Sequence, residues 1–283
     1  MNILSAYIQG IFNTLSKFKM VLLLYGCNLL FGLIVALPLH SVLKESIGQS
    51  FEIQRITTGF DNTVFTDFMN THGQLLEPLL SQFQWLSMLY IALFIFLNGG
   101  IIHILLGRIG FWEGCAKYFW RFLRLTLLFL LLHSLTAMVV FGILYLIVTN
   151  GFDLFGSEIP IYWSIVVSII VYILLASLVS MLSDYAKIRM VKNDRRSAIQ
   201  AMLHSFGTVF QNFRKTYGLY LLNMFGIALL YLIYWALHSN VTTSNFIIIF
   251  FIILVQQFIL LLRMCTKVVN LSSALEVYRW VNR

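Results

Sequence analysis

The chain has 283 residues, of which 60% are hydrophobic and 11% are charged, with a formal net charge of +8 and a mean hydropathy of +0.87. Soluble domains run about 45–50% apolar and about 25% charged, so this composition excludes a water-soluble enzyme, a disordered tail and a disulfide scaffold. It specifies an all-α, polytopic integral membrane protein.

In chain order, Ile3, Leu4, Tyr7, Ile8, Ile11, Phe12 and Leu15 recur every three or four residues. They predict an amphipathic elbow helix over residues 2–16. Lys17 and Lys19 follow, then a first span over 20–37. About 16 residues precede that basic flank and no A-x-A site follows the apolar run, so the span is expected to be retained rather than cleaved as a signal peptide. Residues 40–84 form the one sizeable outer segment. Val42, Ile47, Phe51 and Ile53 predict a short helix, Gly59-Phe60-Asp61-Asn62 a turn, and Leu75, Leu76, Leu79, Leu80 and Phe83 a second helix running into span two. A small helical cap is expected there, too short for a buried active site. Asp61 and Asp67 offer oxygen ligands for a cation, and solvation explains them equally well.

The remaining spans are expected at 85–107, 123–148, 161–182, 217–237 and 246–264, each near the length a membrane helix needs. Pro38 and Pro160 fall at span edges, where proline does little harm. Two more elbows precede spans three and five. One covers 111–122, with Phe111, Trp112, Cys115, Tyr118, Phe119 and Phe122; the other covers 197–213, with Ile199, Met202, Leu203, Phe206, Val209, Phe210 and Phe213. Phe12, Phe119 and Phe210 each have an apolar residue three positions on (Leu15, Phe122, Phe213). Each has a basic residue five positions on (Lys17, Arg124, Lys215). This predicts three repeats of one unit: elbow helix, span, outer loop, returning span.

With the N-terminus inside, only Lys44 and Arg55 of the 19 basic residues lie outside. That bias predicts both termini to be cytoplasmic. The elbows then lie in the membrane interface, where their cations favour anionic inner-leaflet lipid at about 1 kcal/mol each. Candidate lipid contacts are Lys17, Arg121, Arg124, Arg214 and Lys215. The same chemistry fits plain collars that seat the spans.

The connector from Asp184 to Arg196 reads DYAKIRMVKNDRR. Asp184 sits near a helix C-terminus, where the dipole disfavours an anion. A structural ion pair is expected, with Lys187 as the local partner and Arg263 as the tertiary one. This run, with Ala201 beyond it, and the stretch Gly114 to Leu125, GCAKYFWRFLRL, resemble bacterial multi-pass membrane families with cytoplasmic elbow helices, the YciC and DUF975-type group. The resemblance implies a bacterial inner-membrane location and a six-span all-helical fold. It carries over no catalytic residue.

Polar residues inside spans are the default place to seek function. Span two holds Asn98-Gly99-Gly100 and His103, span three His133, span five Asn223, and span six Gln256-Gln257. If Asn98, His103, His133, Asn223 and Gln256 converge, they line a polar cavity; otherwise each is a single interhelical hydrogen bond. No Asp or Glu lies at mid-span, which argues against a proton- or sodium-coupled transporter. The motifs H-E-x-x-H, G-x-S-x-G and Walker A are absent, as is any nucleic-acid-binding motif. Cys27, Cys115 and Cys265 show no metal spacing and read as small apolar residues. No cofactor is expected. The sequence therefore predicts a non-enzymatic membrane subunit or organiser acting on lipids or a partner protein, with homo-oligomerisation open. The alternative is a passive or partner-driven transporter of a small or amphipathic substrate.

Overall fold

The computed structural model describes residues 2–47, 62–151, 156–157, 159–194, 196–239 and 246–281. Among these residues there are eight α-helices and no strands: α1 Ile3–Leu15, α2 Phe18–Ile47, α3 Asn62–Leu105, α4 Phe111–Thr149, α5 Ile159–Lys192, α6 Ala198–Gln211, α7 Phe213–Ser239 and α8 Phe246–Val281. Six of them are long and apolar enough to cross a membrane. The chain is a multi-pass membrane protein. It divides into two compact units, one of Met1–Val21 with Ile95–Arg283, the other of Leu22–Phe94.

Within the smaller unit, α2 and α3 meet through Tyr90. Its hydroxyl donates to Asn28 Oδ1 at 2.8 Å, and its ring lies 5.4 Å from Phe31 and 4.4 Å from Phe94. Pro38, expected at a span edge, lies inside α2, which passes through it to Ile47. A proline removes one ladder hydrogen bond, and apolar surroundings leave the helix no better conformation in which to satisfy the rest. The predicted second cap helix and span two are one helix, α3, which also continues through Pro78. Phe51, Ile53 and the Gly59–Asp61 turn lie outside the described residues.

The larger unit is knitted together at what we call its basic end, where α1, the α3–α4 turn, the α5–α6 turn and the C-terminal part of α8 meet. Here α1 crosses α8 at near backbone contact: a Cβ on Gly10 would lie 2.7 Å from Ser273 Cβ. Asn13 Nδ2 donates to Glu276 Oε1 at 3.2 Å, and Arg279 pairs with the same oxygen at 2.8 Å. Ala6, Leu219 and Val277 close a small apolar cluster flanked by Ile3, Tyr7 and Val281. A second close approach joins α3 and α4. A Cβ on Gly100 would meet Cys115 Sγ at 2.6 Å and Phe111 O at 2.7 Å, and one on Gly114 would meet His103 Cβ at 2.5 Å. Gly107 and Gly110 take the left-handed backbone that turns the chain between these helices, with φ of 83° and 96°. Lys17 Nζ donates to Ile104 O at 2.6 Å. That places a cation on the carbonyl end of α3, where the helix dipole favours it, and burial lowers the lysine's pKa.

Two of the three predicted elbows are separate helices, α1 and α6. The second is not: residues 111–122 are the first turns of the continuous α4. The physical reason is local. The chain breaks at Ser16-Lys17 and at Asn212, the latter leaving the helical region with φ −124° and ψ 35°. Between Phe122 and Thr126 the residues are Phe, Leu, Arg, Leu and Thr, with no glycine, proline or asparagine to interrupt the ladder.

The last span also differs from expectation. It does not end near 264 but continues as α8 to Val281, and its final turns are core. Every residue from Leu271 to Leu275 is buried. Met264, Val268, Leu271, Leu275 and Tyr278 follow a four-three spacing that does repeat in the sequence. Against this stripe lies the equally buried end of α5, including Met181, Tyr185, Ile188 and Met190. Lys192 Nζ sits 4.8 Å from the Tyr278 ring.

Candidate functional site

The polar residues predicted from the spans fall in different places. His103 belongs to the α3–α4 turn, where it is buried and its Nε2 lies 3.3 Å from Ile109 O. Its role there is to hold the turn. Asn98 is half-buried one helical turn earlier, beside the Gly99–Gly100 contact. Asn223 is buried on α7 and donates to Leu219 O at 3.0 Å, within its own helix. His133 lies in a groove between α4 and α5. Gln256 lies in another, between α7 and α8. The five do not converge on one cavity.

What the structure does bring together is charge. Asp184, near the end of α5, accepts from Lys187 Nζ at 3.2 Å and from Asn270 Nδ2 at 3.0 Å. The predicted local partner is thus the observed one. Its second oxygen goes to Asn270 of α8, not to Arg263. Lys267, one turn from Arg263 and one turn from Asn270, is within electrostatic reach of Asp184, Lys187 and Arg263. Lys187 is thus paired with Asp184, and Lys267 lies within electrostatic reach of both. Arg263 itself is exposed, and no carboxylate among the described residues pairs with it.

Two grooves open on either side of this cluster. The α4–α5 groove, of about 310 Å³, has Phe129 and Leu130 on its apolar wall and His133, Ser180, Asp184 and Lys187 on its polar one. Ser180 Oγ is 3.4 Å from His133 Nε2, and the Tyr220 hydroxyl is within electrostatic reach of Asp184; Ser177 Oγ is 3.1 Å from Tyr217 Oη. The α7–α8 groove, of about 300 Å³, is walled by Ile227, Leu230, Ile259 and Leu260, and Arg263 stands at its basic end. At the other end Gln256 Nε2 donates to Tyr234 Oη at 3.1 Å. Asn270, Tyr220, Tyr234 and Lys267 were not anticipated. Lys267 follows Arg263 by four residues and so shares its helix face, a signal the sequence carried; the other three become visible only once the helices are packed.

The five predicted lipid contacts divide by how they are used. Arg121 is held by Asp194 at 2.6 Å, with Lys117 on the other carboxylate oxygen at 3.1 Å. Asp194 occupies the left-handed region at φ 47° to make this clasp. Arg108 completes it by donating to Tyr118 Oη at 2.9 Å. Lys17 is bound to Ile104 O, and Lys215 stacks 3.6 Å from the centre of the Trp280 ring. Arg124 and Arg214 are exposed.

The elbow helices add a further surface. The face of α1 that packs inward is small, Ala6, Gly10 and Thr14; the bulky side chains Leu4, Phe12 and Leu15 are more than half exposed. The same holds in α6, where Ala198, Ala201 and Ser205 face inward and Ile199, Leu203 and Phe210 face out. Cys115 is buried, Cys27 and Cys265 are half-buried, and all three are free thiols. Among the described residues no cluster of His, Cys, Asp and Glu could hold a metal ion. No protein-family model, no curated protein and no solved structure matches the chain.

Proposed function

We propose that this protein is a non-enzymatic membrane organiser that gathers anionic lipid at its basic end, which faces the cytoplasm of a bacterial inner membrane. One observation carries the reading: α1 and α6 pack largely through small residues, with Val209 of α6 also buried, and turn Leu4, Phe12 and Leu15 and Ile199, Leu203 and Phe210 outward. A helix in water does the reverse. A helix lying in the headgroup region buries that outer stripe in the acyl boundary. Arg124 and Arg214, free of internal partners among the described residues and close to the elbows, add attraction for anionic headgroups. The bias of basic residues to these same helix ends supports the cytoplasmic side.

The test is lipid selection from a defined mixture. The protein is reconstituted in equimolar phosphatidylglycerol and phosphatidylcholine, re-extracted in mild detergent and weighed intact by native mass spectrometry. Retained phosphatidylglycerol should exceed phosphatidylcholine severalfold, and Arg124→Gln with Arg214→Gln should reduce the excess. Equal retention of the two lipids in the unaltered protein overturns the proposal.

A further inference from the structure

The α7–α8 groove and the cationic cluster beside it together have the form of an amphiphile site. Resting on the lipid reading above, we infer that this groove binds one acyl chain of an anionic phospholipid, with the phosphate on Arg263. Three features of the groove lead there. Its walls are aliphatic, Ile227, Leu230, Ile259 and Leu260. Its far end is closed by a polar pair, Tyr234 with Gln256, that is already satisfied and so demands nothing of a ligand. Its near end is a guanidinium with no carboxylate partner among the described residues, set against a cluster in which cations outnumber carboxylates.

Dimensions agree. From Arg263 to Gln256 is seven residues of helix, about 10 Å at 1.5 Å per residue. A volume of about 300 Å³ sits at the low end of ligand-binding clefts. The groove takes a chain segment, not a whole diacyl lipid, and the rest of the lipid lies in the bilayer. The charge also fixes direction: the chain runs from Arg263 toward Tyr234, away from the basic end, as a lipid of the basic-side leaflet does. A guanidinium grips phosphate through paired hydrogen bonds, whereas a choline headgroup brings a compensating cation and weakens that grip. The α4–α5 groove is a poorer candidate because Lys187 there is already committed to Asp184.

Photo-crosslinking on the unaltered protein tests the location first. Phosphatidylglycerol with a diazirine near the middle of one chain should label peptides spanning 227–234 and 256–263. Labelling confined to other spans overturns the inference. Native mass spectrometry then tests the chemistry. Arg263→Gln and Ile259→Trp should each lower the most tightly held phosphatidylglycerol roughly tenfold, while Arg124→Gln with Arg214→Gln leaves it in place. If the unaltered protein prefers phosphatidylglycerol but both groove variants retain it equally well, this site fails and the broader lipid reading stands. If the unaltered protein shows no preference, the broader reading fails and this site with it. Glycerol phosphate, which has the anion without the chain, should not displace the lipid. Displacement at comparable concentration would reduce the site to an anion site and overturn the acyl-chain assignment.

Discussion

The two halves of α8 obey opposite rules within one unbroken helix. In its most apolar eighteen-residue window, 6% of the residues are buried within the protein. From Leu271 to Leu275 all are. The contrast repeats elsewhere: 11% of the corresponding window is buried in α4 and in α7, yet Tyr118 and Phe122 near the start of α4 are wholly enclosed. Lipid tails are as apolar as leucine, so a span gains little by covering its apolar residues with protein. Where water competes, each large apolar side chain removed from it is worth about 2 kcal/mol. Burial within the larger unit is therefore deepest at the basic end.

Glycines give the largest test of that contrast. Gly100→Leu and Gly10→Leu each drive a side chain into backbone atoms closer than 3 Å. We expect each to cost about 3 kcal/mol or more, seen as loss of monodisperse protein or a lowered melting temperature in detergent. Gly142, on the span portion of α4, has open space where its Cβ would go. Gly142→Leu should shift stability by less than about 0.5 kcal/mol. Equal losses at Gly100 and Gly142 would break the comparison.

Next in size is Asp184→Ala. It leaves Lys187 and Lys267 beside one another without a carboxylate and Asn270 without its acceptor, at an expected cost of about 3 kcal/mol. Denaturation in graded detergent mixtures measures it. A loss no larger than that of an exposed pair would place this cluster with the solvated surface, not the core.

Asp194 has a smaller, pH-dependent effect. Hydrogen bonds from Arg121 and Lys117 hold its carboxyl below the usual carboxylate range. A depressed pKa contributes stability above the unfolded value, near 4, and loses it as pH falls through the lowered folded value. The clasp is thus complete at neutral pH and fades only under stronger acid. Its partial exposure keeps the effect modest. Asp194→Asn should flatten the acid limb of a stability–pH curve and leave the neutral region nearly parallel; an unchanged acid limb would remove Asp194 from the basic-end core.

The smallest expected effect has the opposite sign. The Tyr185 hydroxyl is buried with no hydrogen-bond partner among the described residues. Tyr185→Phe removes an unsatisfied polar atom, so it should be neutral or stabilising by up to about 1 kcal/mol. A clear loss of melting temperature would show that this hydroxyl has a partner in solution.

Much of the membrane half was legible in the sequence, because twenty-residue apolar runs are a one-dimensional signal. The ion pair of Asp184 with Lys187 was legible for the same reason: it is local, three residues apart. The basic-end core was not. Gly10 against Ser273 joins opposite ends of the chain and Asp184 with Asn270 joins residues 86 apart, and no periodicity announces them. The stripes of α1 and α6 were visible, but periodicity says only that a helix has an apolar face. Which way that face turns depends on the small residues opposite it, whose packing no periodicity reveals. The polar residues of the spans failed to converge because each found a nearer solution. Asn223 Nδ2 bonds its own helix and His103 Nε2 the turn beside it, while Asn223 Oδ1 and His103 Nδ1 stay buried without a partner among the described residues.

The unbroken course of α8 has a mechanical consequence. With no proline or glycine between Phe246 and Val281, the helix has no hinge. It is a rod of roughly 54 Å at 1.5 Å per residue. One part is immersed in lipid and the other is clamped against α1 at Ser273. Spans adjust to bilayer thickness chiefly by tilting. A tilt of this span cannot be absorbed where the rod enters the core, so it reappears at the clamp as a sideways displacement of α1 and its outward apolar stripe. A change in membrane thickness that tilted this span would therefore be felt at α1, at the other end of the same rod.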